Sequence, residues 1–177
     1  MNWRIRSLLT VLISSTVILS SCGIYSFTGA SISADIKTIS IQTFYNNAPL
    51  GPSNMSVVFT EKIKDYYQQN TSLTLVDDEG DLQLEGEIVN YTLNPVAPSA
   101  SQNSNQVDFT SLTRITITVS AAYINTQDDQ FDFDRNFSFF VDFDQNTTDL
   151  SSNEDGFVDE IFDQIVVDIF NSSVANW

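Results

Sequence analysis

Hydrophobic and polar positions recur along this chain with two periods, one typical of strands and one of helices. Over residues 35–44, Ile39, Ile41 and Thr43 alternate against Ser40 and Gln42, the period-2 pattern of a strand. The run from Asn46 to Pro52, with two prolines and a glycine, breaks it. Met55, Val58, Phe59, Ile63, Tyr66 and Tyr67 then return at the spacing of one helical face, with Glu61, Lys62, Lys64 and Asp65 outside it. Ser53 or Asn54 supplies a cap for that helix and Asn70 a stop. Strands are expected over residues 72–76 and 81–93, joined by the acidic turn Asp77-Asp78-Glu79-Gly80. In the longer one, Leu82, Leu84 and Ile88 share a face while Val89, Tyr91 and Leu93 share the other. The buried side therefore changes near Gly86, as a bulge would cause.

The second half repeats these signals more strongly. Residues 94–106 (NPVAPSASQNSNQ) have the composition of a loop, and a long strand is expected over 107–125, where Ile115, Ile117, Val119, Ala121 and Tyr123 oppose Thr116, Thr118, Ser120 and Ala122. After the turn at 126–129, Phe131, Phe133, Phe137, Phe139, Val141 and Phe143 mark one side of a strand over 131–144, so the two segments form a hairpin. A polar loop over 145–153 precedes a final helix over 154–171, carrying Phe157, Val158, Ile161, Phe162, Ile165, Val166, Ile169 and Phe170. At about 1.5–3 kcal/mol per buried side chain, that apolar face must dock on the rest of the domain. Its interspersed Asp155, Asp159, Glu160, Asp163 and Asp168 argue against a membrane-spanning role. The order of elements predicts an α+β domain, two helices covering one face of a sheet of about four strands.

The first residues carry a different kind of signal. Met1 to Arg6 is a short basic start, and residues 7–20 are an apolar stretch shorter than a membrane span. This is a signal peptide, and it ends in Leu19-Ser20-Ser21-Cys22, which looks like a bacterial lipobox. Lipidation of Cys22 accounts for the single cysteine of the chain, and several acyl chains exceed the threshold for stable anchoring. Residues 1–21 are thus read as a removed leader, 22–34 as a lipidated tether and 35–177 as one α+β domain. The tether is neutral up to Asp35, which favours an outer-membrane lipoprotein facing the periplasm over a surface-exposed one.

Charge and residue types narrow the chemistry. Removing the leader takes away Arg4 and Arg6 and leaves five cations against 23 acids, a surface that repels phosphate backbones and excludes nucleic acid as a partner. The chain has no histidine, which removes most nucleophile–base pairs and all Cys/His zinc sites. Only carboxylates are abundant. Asp77, Asp78, Glu79 and Asp81 read as a solvated turn, and Asp132, Asp134, Asp142 and Asp144 as a solvated strand face, not as a hydrolase pair. The stretches 128–132 and 153–156 lack the D-x-[DN]-x-[DN]-G calcium pattern. No enzyme activity, cofactor or metal is expected, beyond covalent lipid on Cys22.

Five stretches, in order along the mature chain, resemble the lipopolysaccharide-assembly lipoprotein family LptE in the form found in Bacteroidetes-type bacteria. They are residues 22–31 (CGIYSFTGAS), 59–65 (FTEKIKD), 81–88 (DLQLEGEI), 112–119 (LTRITITV) and 168–177 (DIFNSSVANW). The resemblance implies two helices on a mostly antiparallel sheet. It also implies a lipoprotein that plugs an outer-membrane LptD-type β-barrel and helps that translocon deliver lipopolysaccharide to the outer leaflet. Lipopolysaccharide itself enters as a further ligand, although no motif here matches the family's basic residues. The runner-up reading is a periplasm-facing binding module of another envelope assembly or transport system. A plug faces a polar, wet lumen, so uncharged polar loops are the expected contacts. They are represented by Gln102, Asn105 and Asn146. Arg114 and Arg135, placed in central strands of an acidic chain, are the candidate cations for partner acids or a lipid phosphate.

Overall fold

The computed structural model describes residues 32–33, 35–96 and 112–174. In chain order the elements are β1 (Thr38–Ile41), β2 (Tyr45–Asn46), α1 (Met55–Asn70), β3 (Thr74–Val76), β4 (Leu82–Pro95), β5 (Leu112–Asn125), β6 (Phe133–Asp144) and α2 (Leu150–Ser173). A single 3-10 turn, Asp129–Phe131, links β5 to β6. The sheet runs β3-β1-β4-β5-β6, with β2 also paired to β4. All pairings of β1 and β2 are parallel, because the chain passes from them to β3 through α1, the crossover that a parallel arrangement requires. From β4 onward the strands form an antiparallel meander.

The two-helix α+β architecture agrees with the sequence expectation. The strand count does not: the sheet has six strands instead of about four, and it is mixed. The strand expected over 72–76 is present as the three-residue β3, whereas β2, at two residues, is too short to display a period. The expected strand over 35–44 is also interrupted. The Phe44 N–H turns away and donates to the Thr60 hydroxyl on α1 (3.0 Å). The Phe44 ring then lies over Gly86, where a Cβ would stand 2.1 Å from the Ser120 carbonyl oxygen and 2.5 Å from Phe44 Cε1. Gly86 therefore provides room for a ring. The bulge expected there falls instead at Val89, between Ile88 and Asn90. It keeps Ile88 and Tyr91 on the same face, and both are fully buried.

Both helices cover one face of the sheet. Ile39, Leu84, Ile88, Ile117 and Val119 meet Phe59, Ile63 and Tyr67 of α1 and Phe162, Ile165 and Ile169 of α2 in one core. An aromatic relay crosses it: Phe44 packs edge-on against Phe59 at 5.0 Å, and Phe59 against Phe162 at 4.8 Å. Outside the core, Lys62 bridges to Asp159 (2.8 Å) and Asp163, tying helix to helix. The helix α2 begins one turn earlier than residue 154 because the Asp149 carboxylate accepts the Ser152 N–H (3.1 Å) and caps it. Phe131 stands on the 3-10 turn and is exposed, since Asp128 accepts the Gln130 N–H (3.1 Å) and closes that turn before β6 begins. Among the described residues no helix is long and apolar enough to cross a membrane.

Candidate functional site

The helices leave the opposite face of the sheet uncovered. Strand alternation decides what stands there: Thr116, Thr118, Ser120 and Ala122 of β5 lie between β4 and β6. In register, Thr92, Asn90 and Glu87 of β4 flank them on one side and Phe140, Ser138 and Asn136 of β6 on the other. Apart from Glu87, whose carboxylate accepts from the Asn47 amide, and the Phe140 ring, this stretch is a field of hydroxyls and amides. Thr118 and Ser138 share a hydrogen bond across the strands at 3.0 Å, and the Ser138 hydroxyl lies 3.1 Å from the Ile117 carbonyl. Glu85 and Asp134 stand at one end, flanking Ala122.

At the other end Arg114 grips Asp142 through two hydrogen bonds, Nε to Oδ1 at 2.7 Å and Nη2 to Oδ2 at 2.8 Å. The guanidinium also lies over the Phe140 ring, 3.6 Å from its centroid, a stacking that Arg accepts and Lys does not. The hydrogen bonds from Arg114 hold the Asp142 carboxyl below the usual carboxylate range, and the same contact raises Arg114. Phe140 is 44% exposed and forms the apolar rim of this corner.

Arg135 belongs to the other face. It sits opposite Ala121, donates to the Ser172 hydroxyl near the end of α2, and lies 4.9 and 5.1 Å from the Phe137 and Phe133 rings. Its charge there complements the negative end of the helix dipole. The two candidate arginines are thus not brought together. Asn146 follows β6 in an exposed turn, with its backbone and side-chain N–H groups on the Asp144 carboxylate (2.9 and 3.1 Å). It lies at the Arg114 end of the sheet, since Asp144 pairs with Leu112. Cys22, Gln102 and Asn105 lie outside the described residues. The flanks of the 97–111 segment, Val96 and Leu112, are joined by a backbone hydrogen bond of 2.8 Å at that same end. Residues 32–33 lie at the opposite end, where Ile32, Ile36, Leu82, Tyr123 and Val174 line a cleft of about 330 Å³. The chain therefore enters the fold at one end of a 14-residue strand, about 45 Å long, and presents the Arg114 corner at the other.

The expectation of polar contacts in loops leaves out the sheet face itself. The signal was present in the Thr-x-Thr-x-Ser alternation of residues 116–120, since the polar half of a half-buried strand must face something other than the core.

Fold and surface together define an α+β domain with a broad polar sheet face. The model of the LptE family, described as lipopolysaccharide assembly, matches residues 36–173, nearly the whole described domain. The chain belongs to this family of lipopolysaccharide-assembly lipoproteins. No curated protein matches it. Among solved structures, the hypothetical protein CT253 from Chlamydia trachomatis is similar at 12% identity, covering 80% of this chain and 99% of that one with a TM-score of 0.50, a likeness of fold alone. Lower overlap is found with a minor lipoprotein from Acinetobacter baumannii (15% identity, 78% and 94% covered, TM-score 0.46). The rare lipoprotein B from Shewanella oneidensis is comparable (10%, 77% and 90%, 0.45).

Proposed function

We propose that this chain is a non-enzymatic outer-membrane lipoprotein, anchored on the periplasmic side through lipid on Cys22 after removal of residues 1–21, that plugs an LptD-type β-barrel and supports its assembly. Residues 22–34 act as the tether and 35–177 as the plug. One observation carries the reading beyond family membership: the centre of the uncovered sheet face is built mostly from uncharged hydrogen-bonding side chains, with Thr92, Asn90, Thr116, Thr118, Ser138 and Asn136 around the single carboxylate of Glu87. The lumen of a transmembrane barrel is polar and wet, and such groups can exchange water for lumen partners without stranding a charge. The geometry also gives a direction. With the chain entering beside Ile32, the Arg114 corner, Asn146 and the joined strand ends Val96 and Leu112 lie at the opposite end of the sheet, which this reading takes as the leading end. Arg114, whose guanidinium is shared with Asp142, is the cation this reading assigns to lipopolysaccharide contact.

The test is affinity purification of the full chain from native membranes. An LptD-type barrel should co-purify, and a Cys22→Ala variant should stay unprocessed and lose the complex. Co-purification of a different envelope transport system in place of the barrel would refute the plug role and favour the runner-up reading.

A further inference from the structure

The two edges of the sheet are unequal. On one side β3 has three residues; on the other β6 has twelve, contains no proline, and keeps register with β5 without a shift from Asp144 to Phe133. The direction of its backbone groups follows from two contacts. Val96 N–H donates to the Leu112 carbonyl (2.8 Å) and Thr126 N–H to the Asp81 carbonyl (2.9 Å), so even-numbered residues at both ends of β5 point their backbone groups at β4. Odd-numbered residues then face β6, in agreement with Asn125 N–H donating to the Asp132 carboxylate (2.7 Å). In this antiparallel register the odd residues of β6 answer them. The N–H and C=O groups of Asp134, Asn136, Ser138, Phe140 and Asp142 are left pointing outward, and among the described residues no strand lies beyond them.

Side chains along this edge select what can pair with it. Toward the helices, Phe133, Phe139 and Val141 are only partly buried and would gain cover from a neighbour. On the open face stand Asp134, Asp142 and Asp144. Twofold antiparallel pairing of two copies around Ser138 sets Asp134 against Asp142 of the second copy, and pairing around Phe139 sets it against Asp144. Directly opposed like charges oppose both registers, a common protection of exposed edges. A strand with Lys, Arg or hydroxyl residues on one face and aliphatic residues on the other meets no such obstacle.

We infer that β6 is a strand-accepting edge that pairs with an extended, basic and aliphatic segment of the barrel partner. This rests on the plug reading. The segment cannot belong to the barrel wall, where each strand already has both backbone edges satisfied, so it is a loop or terminal stretch of the barrel chain.

The experiment uses the full chain co-expressed with its barrel, with a photo-crosslinking amino acid at Asn136 or Phe140, and separately an Asn136→Pro variant. Proline is tolerated on an edge strand where its missing N–H faces outward, so this variant should fold. Expected are adducts from both sites to one non-wall segment of the barrel chain, and an affinity lowered about tenfold by Asn136→Pro, the effect of one or two lost backbone hydrogen bonds. If Asn136→Pro does not fold, the mapped adducts decide. Recovery of the complex without adducts, adducts on wall strands or on a second copy of this chain, or a folded Asn136→Pro variant with undiminished binding each overturns the inference and leaves the plug role standing. Failure of the unmodified chain to recover any barrel overturns both.

Discussion

Phe162 is the side chain on which the docking of α2 depends most directly. It is fully buried, and it closes the relay that runs from Phe44 through Phe59, with ring centroids 5.0 and 4.8 Å apart. Phe162→Ala removes a whole ring between two helices and a sheet, leaving a gap that neighbours on fixed elements can fill only in part. Such truncations cost about 3–5 kcal/mol, a figure that includes the lost edge-to-face contact of about 0.5–1.5 kcal/mol with Phe59. Against a total stability of about 5–15 kcal/mol this is a large share. Urea unfolding followed by circular dichroism should show the midpoint falling with an unchanged slope, and the melting temperature should drop by about 2–4 °C per kcal/mol. The coupling can be isolated with a cycle of Phe59→Leu and Phe162→Leu, which should show non-additivity of about 0.5–1.5 kcal/mol. A loss below about 1 kcal/mol on Phe162→Ala would mean that α2 does not close this core, and the architecture described above would have to be abandoned.

Two further outcomes follow from single contacts. The Asp81 carboxylate accepts the backbone N–H groups of Lys37 (2.8 Å) and Thr38 (3.0 Å) and the Thr38 hydroxyl (2.9 Å), which ties β1 to the start of β4 and lowers its pKa. A carboxyl depressed in the folded state contributes stability above its unfolded value of about 4, and that contribution is lost as pH falls through the lower folded value. Asp81→Asn should therefore lower the melting temperature near pH 6 and matter less near pH 3; an equal difference at both would refute the link. Tyr67 is fully buried with its hydroxyl on Ser173, whose own hydroxyl also bonds the Phe170 carbonyl (3.1 Å). Tyr67→Phe should cost about 0.5–1.5 kcal/mol in chemical denaturation, since Ser173 keeps a partner, and a loss above about 3 kcal/mol would show that the pair does more than satisfy a buried hydroxyl.

Much of this molecule was legible in its sequence wherever a period was long enough to be read. Met55 through Tyr67 announced α1, residues 157–170 announced the apolar face of α2, and the alternation at 115–123 assigned the buried side of β5, because each pattern is the direct imprint of a two-sided environment on successive side chains. Even the polar face of the sheet was written in Thr116, Thr118 and Ser120. What only the tertiary structure decided are relations carried by the backbone, whose hydrogen bonds are the same for every residue type. The parallel seating of β1 against β4, the two-residue β2 and the free edge of β6 are of this kind. Register is another: the alternation already set Arg114 among the polar positions of its strand and Arg135 among the phenylalanines of the next, but only the pairing gave Arg114 its partner Asp142 and seated Arg135 opposite Ala121. Gly86 shows the same limit, since the sequence suggested a bulge there and the bulge falls at Val89. The ring that fills the space, Phe44, is brought there by a distant loop and a hydrogen bond to α1, long-range contacts that leave no periodic trace in the chain.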